Sequence, residues 1–399
     1  MNEFVIVGGG VHGTYLANRA TAEYDPEDIT IVDPAPRLLS TFRQRAARCG
    51  MTELRSPFVH HLGRDPFDLE TFAHSRGREA ELVPTPNYPP RPTLSLFCDH
   101  AAHVIARRGL DALHRRGTVT DVRDAGDGLV VETTGGTLRS RRVVLAVGHG
   151  PPSLPEWAGD AIDHVWDDAP NSGRTASPRA VAADGGNVVA DGDGVAENTN
   201  DKAPDIVVGG GSTAAQVALQ RNADILLSRH PLRTSVTEAE PPWVNWPHIQ
   251  RELHGHPPGS KARLKTVREA RKSGTIRPQL RDRLEASDVS VVVGEVESAV
   301  ETDDAVRLRL TDGRPLAGDA VCCATGFEPP WDRPFVRRLA SSLGLERGYD
   351  GMPVLDDATV SWRGDTDGIY ASGALAAGTV GPFAGNVIGA RRAADRIVG

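Results

Sequence analysis

Two glycine-rich turns, Gly8-Gly9-Gly10-Val11-His12-Gly13 and Gly209-Gly210-Gly211-Ser212-Thr213-Ala214, carry the strongest chemical signal in the chain. Each follows a short apolar run, Phe4-Val5-Ile6-Val7 or Ile206-Val207-Val208, and each opens a segment with helical spacing. A strand that passes through G-x-G-x-x-G/A into a helix is suited to hold the pyrophosphate of a dinucleotide. Gly8 and Gly209 permit the tight turn, Gly10 and Gly211 let the backbone approach the phosphates, and Gly13 and Ala214 let helix and strand pack closely. Ser212 lies in the same turn, and the helix N-terminus presents about half a positive charge to the phosphates.

The residue that ends the following strand separates the two sites. Asp33 closes Ile29-Thr30-Ile31-Val32 and would accept hydrogen bonds from a ribose. In the second unit Ile225-Leu226-Leu227 ends in Ser228-Arg229-His230. An acid there would repel a 2′-phosphate, whereas Arg229 can pair with one through two parallel N–H bonds. An acid first and an arginine second imply FAD in the first site and NADPH in the second, with electrons passing from NADPH to flavin.

The elements that must position these turns read as two copies of one architecture. Strands at Val119 to Val122, Leu129 to Thr133 and Val143 to Val147 are separated by Asp127-Gly128 and Gly135-Gly136. A matching set at Val291 to Val293, Val306 to Leu310 and Ala320 to Cys323 carries Asp312-Gly313. The expected fold is therefore α/β, with two Rossmann-like (three-layer ββα) domains, the NADPH domain inserted into a discontinuous FAD domain. Residues 1–167 and 321–399 are assigned to FAD, 205–320 to NADPH, and 168–204 to an acidic insertion too poor in large apolar residues to order itself. Thr14 to Glu23 is expected to be a helix, and the Pro-, Arg- and His-rich stretch 50–92 irregular. Near the end, Gly368 to Gly373 reads as a strand closing on glycine. Gly381 to Asn386 opens a helix whose Phe383, Val387, Ala390, Ala394 and Ile397 share a face.

Composition excludes several classes. The formal net charge of −8 argues against nucleic acid as a partner. No apolar run reaches the roughly 18 residues of a membrane span, and no leader pattern precedes Phe4, so a cytoplasmic protein is expected. Cys49, Cys98, Cys322 and Cys323 form no C-x-x-C pair; Cys322-Cys323 reads as a buried, inert pair. His60-His61 lacks a second ligand pair at metal spacing, so both are expected at the surface or as caps, and no metal is assigned. The run from Lys261 to Lys272 reads as a solvated helical face, and Trp243 and Trp246 as packing residues.

Val5 to Gly13, Gly209 to Gln216, Ala324-Thr325-Gly326-Phe327 and Gly381 to Ala394 together resemble the flavoproteins with two dinucleotide-binding domains, over nearly the whole chain. Within them, Cys49-Gly50-Met51-Thr52-Glu53-Leu54-Arg55-Ser56-Pro57 is similar to the loop beside the flavin in the lysine and ornithine N-hydroxylating monooxygenases. This resemblance implies reduction of FAD by NADPH, capture of O₂ as a flavin hydroperoxide, and oxygen transfer to the nitrogen of a small amine. Met51 and Arg55 would then touch flavin or substrate, Asn386 would face the flavin from the start of the last helix, and Gly373 would approach the cofactor. Ala374 stands where disulfide reductases of this superfamily carry Asp, and no F-x-G-x-x-x-H-x-x-x-Y segment is present. An NADPH:acceptor oxidoreductase and a non-catalytic redox sensor are the alternative readings.

Overall fold

The structure is a computed structural model that describes residues 1–159, 162–167, 205–302 and 305–399. The insertion expected at 168–204 lies outside the described residues. The chain divides into two compact units, Met1–Pro151 with Ser235–Ser273 and Phe327–Gly399, and Pro152–Thr234 with Gly274–Gly326.

The first unit is built on five parallel strands in the order His114–Arg116, Ile29–Asp33, Asn2–Val7, Gly136–Leu145 and Ile369–Ala371. An antiparallel meander, Val119–Asp124 and Leu129–Thr133, extends the sheet from the early half of Gly136–Leu145. The central parallel strand is apolar on both faces, with Phe4, Val5 and Ile6 fully buried. Helices Val11–Ala20 and Val387–Ile397 pack against each other, and Ala17, Ala20, Ala390 and Ala394 share the main apolar core.

The second unit repeats the pattern. Ser290–Val293, Ile225–Ser228, Asp205–Val208, Ala320–Cys323 and Asp163–His164 are parallel in that order. Its meander, Val296–Glu301, Val306–Leu310 and Pro315–Gly318, forms a separate sheet. The fold is thus α/β with two Rossmann-like sheets, each centred on the strand that leads into its glycine turn.

Several expectations shift. Residues 235–273, placed with the second sheet from sequence, pack in the first unit, where Trp243, Ile249, Leu253 and Val267 join Phe383 in an apolar cluster. Ala320–Cys323 and Asp163–His164 belong to the second unit because they hydrogen-bond into its sheet. The stretch 50–92 is not irregular throughout, since it holds helix Asp68–His74 and the hairpin Leu82–Thr85 with Tyr88–Pro92. The last helix starts at Val387, so Phe383 precedes it. The first begins at Val11, not Thr14. In helix Lys261–Ala270, Arg263 is not solvated: it is fully buried and bonds both Asp357 oxygens, at 2.6 and 3.0 Å. Among the described residues no helix is long and apolar enough to cross a membrane.

His60 and His61 are buried, not at the surface, and His61 packs edge-on to buried His100 at 4.8 Å. Burial, reinforced by the Arg391 charge, lowers His60 to about 3 and His61 to about 2. Burial also lowers His100 to about 4, against the opposing pull of Asp68. Unfolded, each takes a proton near pH 6.5, so below that pH the folded chain binds fewer protons and loses stability. The loss is about 1.4 kcal/mol per pH unit for each imidazole. The denaturant midpoint should therefore fall steadily from pH 7 to pH 5, and the H61F variant should show a shallower slope; an unchanged midpoint would refute neutral burial of these rings.

Candidate functional site

The first glycine turn leaves the carboxyl end of strand Asn2–Val7 with Gly8 in the left-handed region, φ +112°. A Cβ on Gly8 would lie 2.4 Å from the Ala146 carbonyl oxygen, and one on Gly13 would lie 1.8 Å from the Gly8 oxygen. Neither position tolerates a side chain. Gly10 differs, because a Cβ there meets nothing within 4 Å. The protein's own packing does not require glycine at position 10; a group approaching the backbone would. Asp33 secures the turn by accepting the Gly9 N–H at 2.6 Å on one oxygen and the Ala35 N–H at 2.8 Å on the other. Each oxygen keeps a lone pair for a further donor such as a ribose hydroxyl.

The second turn has the same geometry. Gly209 has φ +152°, and its Cβ would lie 2.6 Å from the Ala324 oxygen, while one on Gly211 meets only Gly274 Cα at 3.9 Å. Ala214, fully buried, stands where the first turn has Gly13. Ser212 Oγ donates to the Thr275 carbonyl at 3.1 Å. Arg229 is exposed just past strand Ile225–Ser228. Arg233, not singled out from sequence, has one terminal nitrogen 3.6 Å from where a Gly274 Cβ would be. Both turns therefore fit a pyrophosphate lying against an unobstructed middle glycine.

Three parallel strands of the first unit deliver their next residues to one edge of the sheet. His12 follows Asn2–Val7, His149 follows Gly136–Leu145, and Ser372 and Gly373 follow Ile369–Ala371. Strand order reverses there between the first two, which is where open α/β sheets bind ligands. His12 Nδ1 and Ser372 Oγ are 3.0 Å apart. Gly373, with φ +77°, lies against the His12 ring. A Cβ on Gly385 would sit 3.7 Å from His149 Cε1, and the His149 ring stacks on Phe327 at 4.8 Å. Burial lowers both imidazoles to about 4, helped at His149 by Arg271 and Arg45, so both are neutral at pH 7.

A segment that sequence reasoning missed borders this edge. Residues 235–239 form neither helix nor strand and are held by side chains. Arg55 donates to the Ser235 and Thr237 carbonyls at 2.8 and 3.0 Å, and buried Arg91 donates to Val236 at 2.6 Å. The Lys272 N–H donates to the Glu238 carbonyl at 2.7 Å, and the Glu238 carboxylate accepts from Asn386 Nδ2 at 2.7 Å. Burial pushes the Glu238 carboxyl up, but Arg271, Arg55 and the Asn386 bond outweigh it and hold the group below its ordinary value. Of the three flavin-adjacent candidates, Asn386 and Arg55 meet at this segment. Met51 is half-buried in the turn after helix Ser40–Arg48, its N–H on the Ala46 carbonyl. No spacing rule marks Glu238 or Arg271. Cys322 and Cys323 are buried, and burial raises both thiols, Cys323 to about 12.

Residues 5–150 match a family model described as FAD-NAD(P)-binding, while no curated protein matches the sequence. Among solved structures, an ornithine N-hydroxylase from Kutzneria sp. 744 superposes with a TM-score of 0.75 at 17% identity, over all of this chain and 98% of that one. An L-lysine 6-monooxygenase from Pseudomonas syringae gives 0.70 at 19% identity, covering 100% and 98%. A cadaverine monooxygenase from Erwinia amylovora gives 0.69 at 14%, covering 100% and 94%. The fold is thus the one these N-hydroxylating flavin monooxygenases share, as the sequence resemblance implied.

The two kinds of glycine predict different outcomes. Gly13→Ala should destabilise the chain by more than about 3 kcal/mol, the range in which a buried steric conflict falls, whereas Gly10→Ala should stay within about 1 kcal/mol of the parent. Denaturant melts of the two variants test this, and equal losses would contradict it.

Proposed function

We propose that the chain is an NADPH-dependent FAD monooxygenase that N-hydroxylates a small amine. FAD is held by the first unit through Gly8, Gly10, Gly13, Asp33 and Gly373, and NADPH by the second through Gly209, Gly211, Ser212, Ala214 and Arg229. The FAD held there would supply the redox chemistry, taking a hydride from NADPH and activating O₂, so that one oxygen atom would reach the amine nitrogen and the other would leave as water. The observation that carries this reading is the pair of turns with open middle glycines, one followed by an acid and the other by an arginine. The shared fold supports the amine as acceptor, since the proteins it superposes on are named for ornithine, lysine and cadaverine.

The chain's own groups bind and position. Glycine-turn amides and the first helical turn take the pyrophosphate, and Asp33 takes a ribose hydroxyl. His12 and His149, uncharged at neutral pH, line the carboxyl edge without adding charge. Met51 and Asn386 would border the flavin, and Arg55 would position the site through the 235–239 segment.

Purified protein should be yellow or take up FAD, and should consume NADPH and O₂ faster when its amine is added, with a hydroxylamine as product. Gly10→Ala should lose FAD while melting normally; FAD retention would remove the first turn as its site. Arg229→Ala should raise the KM for NADPH about tenfold or more, as loss of a charged hydrogen-bonded pair does, and leave the KM for NADH nearly unchanged. An equal effect on both nucleotides would overturn the role of Arg229.

A further inference from the structure

In each unit the strand after the glycine turn ends in an equivalent place. Gly8 N–H donates to the Val32 carbonyl at 2.9 Å, and Gly209 N–H donates to the Leu227 carbonyl at 2.9 Å. Val7 is paired with Val32, and Val208 with Leu227. One residue further on, the Asp33 carbonyl accepts from Gly117 N–H at 3.0 Å and the Ser228 carbonyl from Gly294 N–H at 3.0 Å. The two side chains also meet the same glycine of their turns. A Cβ on Gly9 would lie 3.1 Å from Asp33 Cβ, and one on Gly210 would lie 2.6 Å from Ser228 Oγ. Ser228 therefore stands in the place of Asp33, and Arg229 in that of Pro34.

The two residues use that place with opposite polarity. The Asp33 carboxylate accepts from two backbone amides, Gly9 at 2.6 Å and Ala35, two residues on, at 2.8 Å. Ser228 donates instead, its Oγ–H going to the His230 carbonyl at 2.8 Å. The counterparts of the two claimed amides, Gly210 N–H and His230 N–H, make no hydrogen bond to any described residue. Ser228 is buried, while Arg229 and His230 are exposed. The second strand end has thus lost an anion and kept donors, which suits an anion brought by the ligand, since a phosphate ester accepts from backbone amides and guanidinium alike. We propose that Ser228 is a specificity-determining residue of the second site: uncharged and claiming neither amide, it leaves Gly210 and His230 N–H to the 2′-phosphate of NADPH. The inference rests on the NADPH reading of the second turn and deepens it, adding to Arg229 a determinant one residue earlier. An acid at position 228 would take up the Gly210 amide, as Asp33 takes up that of Gly9, and would repel the 2′-phosphate.

The test is calorimetric titration of the FAD-loaded protein with NADP⁺ and NAD⁺. The parent should bind NADP⁺ about tenfold or more tightly than NAD⁺. Ser228→Asp should weaken NADP⁺ about a hundredfold, as juxtaposed like charges do, and tighten NAD⁺ about tenfold through a charged bond to the ribose, so that the preference inverts. Ser228→Asn, the same size without the charge, should keep the parent's order. In the nucleotide-free protein the Gly210 amide should exchange its hydrogen more slowly in Ser228→Asp than in the parent, while melting stays unchanged. On the parent itself, NADP⁺ should slow exchange at Gly210 and His230 more than saturating NAD⁺ does, a comparison that needs no variant to fold. Equal protection of these amides by the two nucleotides, an NADP⁺ preference that survives Ser228→Asp, or an inversion as complete with Asn as with Asp overturns the inference and leaves the NADPH reading standing. A parent that binds the two nucleotides equally sinks that reading, and this inference with it.

Discussion

The tightest glycine contact among the described residues is the approach of Gly13 to the Gly8 carbonyl, which leaves 1.8 Å for any Cβ. It draws the start of helix Val11–Ala20 down onto the strand it follows, and so aims that helix's unpaired N–H groups over the carboxyl edge of the sheet. Asp33 completes the geometry by bonding the Gly9 amide, which ties the second strand to the same turn. The second unit reaches the same end with slightly more room, since Ala214 replaces the third glycine while Gly209 still presses on the Ala324 carbonyl. One backbone solution has been used twice, and the difference between the two sites is delegated to the residue after the second strand.

Against that scaffold the 235–239 segment does what regular structure elsewhere does with ladder bonds. Its Ser235, Val236 and Thr237 carbonyls accept from arginines, which are stronger donors than amides, and its Glu238 carbonyl accepts from the Lys272 N–H, so a stretch with no secondary structure is held in place. The same arrangement gathers charge at the sheet edge. Glu238 remains ionised because Arg271, Arg55 and the Asn386 bond outweigh its burial, while His12 and His149 remain neutral because their burial outweighs the opposing pull of the Gly385 backbone and of Glu238. Position and charge are thereby set without side-chain acid–base catalysis, which suits a reaction whose hard steps belong to a cofactor.

Much of the fold was legible in the sequence because its signals are local. Glycine turns, apolar strands and Asp-Gly or Gly-Gly corners act through backbone geometry within a few residues, and the duplicated strand pattern followed from them. The place of Asp33 at the end of the second strand was legible for the same reason. What escaped depends on contacts distant in sequence. Residues 235–273 carry no label of the unit they join, because their attachment is made by Phe383, Arg55 and Arg91. Arg55, expected to touch flavin or substrate, also clasps the Ser235 and Thr237 carbonyls, which no local pattern announces. His60 and His61 looked like surface residues because polarity was read without their neighbours, Arg391 and His100. Glu238 and Arg271 belong to no motif at all. Arg263, in a run of basic residues, lies fully buried on Asp357, almost a hundred positions away.

The central claim, that each glycine turn holds its own nucleotide, is tested most directly by amide hydrogen exchange with each nucleotide added separately. FAD should slow exchange across 8–14 and at 33–39 and leave 209–215 unaffected, while NADP⁺ should slow 209–215 and leave 8–14 unaffected. Protection of one turn by both nucleotides, or of neither turn by either, would contradict the account.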